Sequence, residues 1–204
     1  MHSKSKLKFA AASWICSLAL STFGAHAQEE DLGTAANDPT ASISAYQFQY
    51  FTTPNFHNSG TADAERLQFR AAIPFELGGY SNIFRITVPY ALDSPSGADG
   101  LSDITLFNLV TFDRSWGRIG VGAVALLPTG ESGVSAEKWG LGPAVGFIAN
   151  ESWGIWGLFN QNIFTVGGGD DFRDVNVSNI QPIVNIQIGD GWSVGTSDMS
   201  IIYD

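Results

Sequence analysis

The chain is poor in the side chains that build most catalytic and metal sites. It has 204 residues, three histidines and one cysteine. His2, His26 and Cys16 all fall within residues 1–27, which read as a secretory signal peptide. Lys4, Lys6 and Lys8 precede an apolar run at 9–23, and Ala25-His26-Ala27 offers the small-x-small pattern of a cleavage site. Ile15, before Cys16, is too large for a lipoprotein signal. Cleavage leaves 177 residues beginning at Gln28, with no cysteine and with His57 as the sole histidine. That excludes a disulfide framework, most metal centres and most Ser-His or Cys-His nucleophile pairs. His57 has no acid–nucleophile arrangement beside it and reads as a loop residue. Asp170, Asp171 and Asp174 follow three glycines and could hold Ca²⁺. The D-x-D-x-D-G spacing of a calcium loop is missing, so they read as a solvated acidic loop. No Walker loop, dinucleotide fingerprint or CxxC occurs. No catalysis, cofactor or metal is therefore assigned.

The remaining candidates are charges on strand faces. Arg66, Arg70, Glu76, Arg85 and Asp103 lie on the polar faces of the second to fourth predicted strands. Facing a lumen, they would orient an anionic or aromatic solute, or fill a narrow barrel with Arg–carboxylate pairs that hold strands in register.

What must position them is a period of two. Tyr46, Phe48 and Tyr50 alternate with Gln47 and Gln49; Leu67, Phe69, Ala71, Ile73 and Phe75 alternate with Arg66, Gln68 and Arg70. Phe84, Ile86, Val88 and Tyr90 alternate with Arg85 and Thr87, and Val184, Ile186 and Ile188 with Asn185 and Gln187. Successive strand side chains point to opposite faces, so each segment has one apolar and one polar face. Nine strands are predicted: 45–53, 64–77, 82–92, 101–112, 118–128, 138–149, 153–166, 175–188 and 192–203. Residues 28–44, with Glu29, Glu30, Asp31 and Asp38, read as a flexible acidic leader before a β-domain at 45–204.

The connections alternate between tight turns near residues 79, 115, 152 and 190 and longer polar loops, as in outer-membrane barrels. An aromatic accompanies each tight turn: Tyr80, Trp116, Trp153 and Trp192, spaced by 36, 37 and 39 residues. One level of such residues forms an interfacial aromatic girdle. Charged residues are only 15% of the chain, and no stretch beyond the N-terminus is apolar for the ~18 residues of a membrane helix. Loss of three lysines with the signal takes the net charge from −10 to −13, which disfavours nucleic-acid binding. Nine strands are an odd number, and the ninth ends at Tyr203-Asp204 without the C-terminal aromatic strand that assembly machinery reads. The expectation is a barrel that is C-terminally incomplete.

Four motifs in order carry a family resemblance. They are Arg85-Ile86-Thr87-Val88-Pro89-Tyr90, Gly100-Leu101-Ser102-Asp103-Ile104, Leu126-Leu127-Pro128-Thr129-Gly130 and Lys138-Trp139-Gly140-Leu141-Gly142-Pro143. Together they resemble the outer-membrane protein family named for the meta-pathway of phenol degradation. The likeness runs from about Arg66 to Asn162 and weakens toward Tyr203. It implies an antiparallel, up-and-down outer-membrane barrel, often described as a transporter of small, frequently aromatic compounds. Members usually continue for several strands past the point that matches Tyr203. Arg85 and Asp103 match the motif and are the expected structural ion pair. Pro128-Thr129-Gly130 is expected to end a strand and open an outer loop.

The expected function is passage of small, possibly aromatic or hydrophobic, molecules through the outer membrane of a Gram-negative cell. The expected partners are outer-membrane lipid, the barrel-assembly machinery and an unidentified small solute. Two alternatives stand beside it. One is a structural or adhesion barrel with a filled lumen; the other is a soluble periplasmic β-sandwich that binds a ligand.

Overall fold

A computed structural model describes residues 14–19, 35, 38–54, 63–189, 192–196 and 198–204. It contains β1 (Trp14–Ala19), β2 (Ala45–Thr53), β3 (Ala64–Leu77), β4 (Tyr80–Asp93), β5 (Gly100–Leu101) and β6 (Ile104–Arg114). These are followed by β7 (Gly117–Leu127), β8 (Lys138–Glu151), β9 (Gly154–Gly168), β10 (Asn176–Gly189), β11 (Trp192–Gly195) and β12 (Ile201–Tyr203). All pairings are antiparallel and mostly between chain neighbours, in the order β1-β2-β3-β4-β6-β7-β8-β9-β10-β11, with β5 on β4 and β12 on β10. The nine strands expected from alternation are β2 to β12, with β5–β6 and β11–β12 each counted as one. They curl into a half-barrel, the form of an incomplete antiparallel barrel. No described strand joins β1 to the last strands.

The N-terminal region adds two structural features. Trp14–Ala19, inside the apolar run, pairs along β2 from Trp14↔Thr52 to Ala19↔Gln47. This run covers the backbone groups of an otherwise open edge. Ala25-His26-Ala27 and most of the leader lie outside the described residues. The end of the leader is packed rather than loose: Thr40 is fully buried, and Ala35 and Ala41 nearly so. The Thr40 methyl sits where a side chain on Gly120 would go, and Arg118 Nη1 donates to Thr40 O at 2.8 Å. Small residues fit the socket that Gly120 leaves, which is why a segment lacking large apolar groups still docks.

The two faces of the sheet differ. Gln47 and Gln49 on β2 are buried, whereas Tyr46 and Phe48, which alternate with them, are exposed. Outward side chains such as Phe48, Leu77, Val166 and Ile188 are 61%, 67%, 64% and 65% exposed, although all are large and apolar. No second sheet covers this face among the described residues. The inward face is apolar over β6–β10, where Phe107, Leu109, Val124, Ala144, Ile148, Ile155, Phe159 and Ile183 form the core. Phe107 reaches Phe159 across two intervening strands, with ring centroids 5.4 Å apart. Small inward residues on β7 and β8, such as Gly122 and Ala144, make room for these rings. At Gly122 a Cβ would strike the carbonyl of Asn108, so glycine allows the strands to close up and the sheet to bend.

Prolines explain both broken strands. Proline has no N–H to give to a ladder. Opposite Pro89 the partner strand divides into β5 and β6, and Ser102 N donates to Pro89 O at 2.9 Å. Opposite Pro182 the last strand divides into β11 and β12. There Thr196 Oγ1 donates to Pro182 O at 2.8 Å and accepts from Val184 N at 3.0 Å, and the chain between the two pieces carries Asp198.

Candidate functional site: an arginine-bearing inner wall

The polar part of the inward face is built by β2, β3 and β4. Their register places Gln47 opposite Arg70, Gln49 opposite Gln68, and Ala72 opposite Arg85, so these side chains share one face. Arg66 stands opposite Phe51 and lies over its ring, 4.5 Å from the centroid. Arg85 lies over the ring of Phe107 at 4.8 Å, at the border between the polar wall and the apolar core.

Asp198 supplies the charge that this wall lacks. Its Oδ1 accepts from Arg70 Nη1 at 2.8 Å, with the two side chains only 16% and 14% exposed. Its Oδ2 accepts from Gln49 Nε2, and Gln68 Nε2 donates to Gln49 Oε1 at 2.8 Å. Asp198 thus ties the last strand to β2 and β3 across the open side of the half-barrel. Asp38 lies ahead of β2 and is 3.9 Å from Arg118. Burial pushes its carboxyl above the ordinary value, against the lowering effect of the Thr40 hydrogen bonds and the Arg118 and Arg85 charges. A water-sized cleft lies between this segment and the wall, bordered by Asp38, Gln47, Arg70 and Arg85. The Nε groups of Arg70 and Arg85 are buried there without a hydrogen-bond partner.

Of the five charges expected on the inner wall, Arg70 and Arg85 border one cleft there, Arg66 lies on the same face but exposed over the Phe51 ring, and two lie elsewhere. Glu76 sits at the tight-turn end of β3, exposed, with Ser81 Oγ 3.4 Å from its Oε1. Asp103 is not the partner of Arg85. It lies in the break between β5 and β6, and its carboxylate accepts from Gly130 N at 3.0 Å, Ser135 Oγ at 2.6 Å and Ala136 N at 2.7 Å. A strand break turns Asp103 toward the neighbouring loop instead of along the ladder.

The family-like motifs meet in that loop knot. Ile104 N donates to Thr129 Oγ1 at 3.0 Å, and Glu131 exchanges two hydrogen bonds with Leu101. A Cβ on Gly130 would lie 3.0 Å from Asp103, so glycine is needed for the carboxylate to seat. Pro128-Thr129-Gly130 ends β7 and opens the loop, as expected. Gly142 and Pro143 coincide with a gap in the β8–β9 pairing. Lys138 Nζ lies 3.2 Å from Asp174, which draws one of the three acidic-loop residues into an ion pair. Among the described residues no group of histidine, cysteine and carboxylates could hold a metal. His57 lies outside them.

Tyr80, Trp116, Trp153 and Trp192 are all exposed at the tight-turn end. Phe112, Phe147 and Trp156 extend this level through edge contacts: Tyr80–Phe112 at 6.3 Å, Trp116–Phe147 at 6.2 Å and Phe147–Trp156 at 5.5 Å. A second exposed level, not anticipated from sequence, lies at the long-loop end with Tyr90, Trp139, Phe164 and Tyr203. Its members sit at opposite ends of different strands, so no fixed sequence spacing announces it. Comparison with protein families, curated proteins and solved structures finds no match to the chain.

Proposed function

We propose that the chain is an outer-membrane β-barrel protein that serves the passage of small molecules, as its resemblance to the phenol meta-pathway family implies. One observation carries this reading: a band of exposed large apolar side chains lies outward between two aromatic levels, and a buried polar wall lies inward. Ten residues separate Tyr80 from Tyr90 along β4. At ~3.4 Å per residue and a ~40° strand tilt they span about 26 Å along the membrane normal, against an apolar band ~25 Å tall in such barrels. In water the same face would be an apolar patch far beyond what a soluble monomer exposes. The three inward arginines supply polar contacts for a solute, and no catalytic step is assigned. Outer-membrane fractionation with heat-modifiable gel migration tests the reading, and recovery as a soluble periplasmic protein would refute it.

A second reading is favoured by the interior of β6–β10. Phe159, Leu109 and Val124 are fully buried there, and segment 38–41 occupies more of the space. That packing suits a structural or adhesion barrel with a filled lumen. Planar-bilayer conductance separates the two, since a filled barrel carries no current.

A further inference from the structure

We propose that Arg70 and Arg85 form a site for the carboxylate of a small organic monoanion, and that segment 38–44 is a cover over that site. The inference rests on the barrel reading and deepens it by naming the solute class.

Three observations point to this. Arg70 and Arg85 border one cleft and each keeps a buried Nε–H without a partner there, although such donors are nearly always satisfied. Arg85 forms no ion pair among the described residues, and its other face is closed by the Phe107 ring. A planar carboxylate meets a guanidinium edge through two parallel hydrogen bonds and is the group that such an edge fits best. The carboxylates now near these arginines belong to Asp198, between β11 and β12, and Asp38, ahead of β2. Neither sits on a strand, so both can shift without breaking the ladder. Asp198 already spends both oxygens on Arg70 and Gln49. Asp38 hydrogen-bonds Thr40 through Oδ1 and only approaches Arg118 through Oδ2. Besides the packing of Thr40 against Gly120, the cover is tied down by Arg118, through Thr40 O and the Asp38 contact. When it lifts, the solute carboxylate takes the place that Asp38 holds beside Arg85.

The test uses the full chain refolded in detergent micelles, titrated calorimetrically with sodium benzoate and with neutral benzamide of the same shape. Saturable benzoate binding is expected, with benzamide at least ~10-fold weaker, since a charge-assisted contact is lost. Arg85→Gln should weaken benzoate at least ~10-fold. Arg118→Ala, which loosens the cover and leaves the site intact, should tighten it several-fold. These opposite signs distinguish a covered site from a general loss of structure. Equal binding of benzamide and benzoate overturns the carboxylate site, as does unchanged affinity in Arg85→Gln. Weaker benzoate binding in Arg118→Ala overturns the cover. A chain that fractionates with the outer membrane but ignores benzoate sinks this proposal and leaves the barrel reading standing.

Discussion

Val121 gives the sharpest test of where the outward face lies. It is on β7, opposite Val110 and Val145 across the two neighbouring strands, and is 48% exposed. It stands five residues past Trp116. At ~3.4 Å per residue and a ~40° tilt, that is about 13 Å from the turn-end aromatic level, or half of a ~25 Å apolar band. Arginine there should cost ~2–4 kcal/mol in a bilayer, because the guanidinium must be partly dehydrated or drag water and headgroups inward. If the same face met water, an exposed substitution would stay within ~0.5 kcal/mol. Leu77→Arg is the internal control. Leu77 is 67% exposed, beside the Gly78-Gly79 turn, where the expected penalty is only ~0–1 kcal/mol. The assay is denaturant unfolding of both variants and the parent from phospholipid vesicles, followed by tryptophan fluorescence. Equal, near-zero penalties at the two positions would refute a lipid-facing outer surface, however barrel-like the sheet.

Other consequences can be measured separately. Asp103→Ala removes three hydrogen-bond partners at once and should loosen the joined loops by ~2–4 kcal/mol, read as faster proteolysis near residues 94–104 and 128–137. Asp198→Ala leaves Arg70 buried without its counter-charge and should cost ~2–4 kcal/mol, whereas Arg70→Met with Asp198→Leu should recover much of that in unfolding titrations. The Asp38 carboxyl, raised by burial, binds its proton more readily when segment 38–44 is docked than when it is free. Docking therefore strengthens as pH falls into the window just above the ordinary carboxylate value and weakens as pH rises through it. Amide exchange corrected for intrinsic rate should show more protection of 38–44 at pH 5 than at pH 7, and Asp38→Asn should flatten that dependence.

Most of the architecture was legible because a two-residue period, once one face is apolar, leaves little freedom in register. A slip of one residue on β3 would send Arg66, Gln68 and Arg70 outward and Leu67 and Phe69 inward. The tight-turn aromatics were legible for a related reason: each sits beside a short turn, so the chain brings them to one level at near-constant spacing. The long-loop level had no such marker, because Tyr90 lies near the end of a strand while Trp139 lies near the start of one.

The site itself was only half legible, and the missing half has one cause. Arg70 and Arg85 lie within unbroken ladders, and Arg66 lies on the regular side of a register shift, so alternation fixes the side each faces. Asp103 and Asp198 lie where ladders stop, and there alternation carries no information. Both stops trace to a proline on the adjacent strand, Pro89 for Asp103 and Pro182 for Asp198. The partner strand, denied a donor, detaches for a few residues and is free to turn a carboxylate off the sheet. In one case the carboxylate turns toward a loop and organises the family-like motifs. In the other it turns inward and holds Arg70. The Arg85–Asp103 pair expected from the motif does not form, because no ladder holds residues 102 and 103 against β4 and the Asp103 carboxylate turns to the neighbouring loop. A proline facing a break thus predicts an acid released from its strand, and Pro182→Val should restore the ladder donor while shifting Asp198 away from Arg70. The Arg70–Asp198 coupling in a double-mutant cycle should then fall toward zero in the Pro182→Val background, and a coupling that persists undiminished would show that the break has another cause.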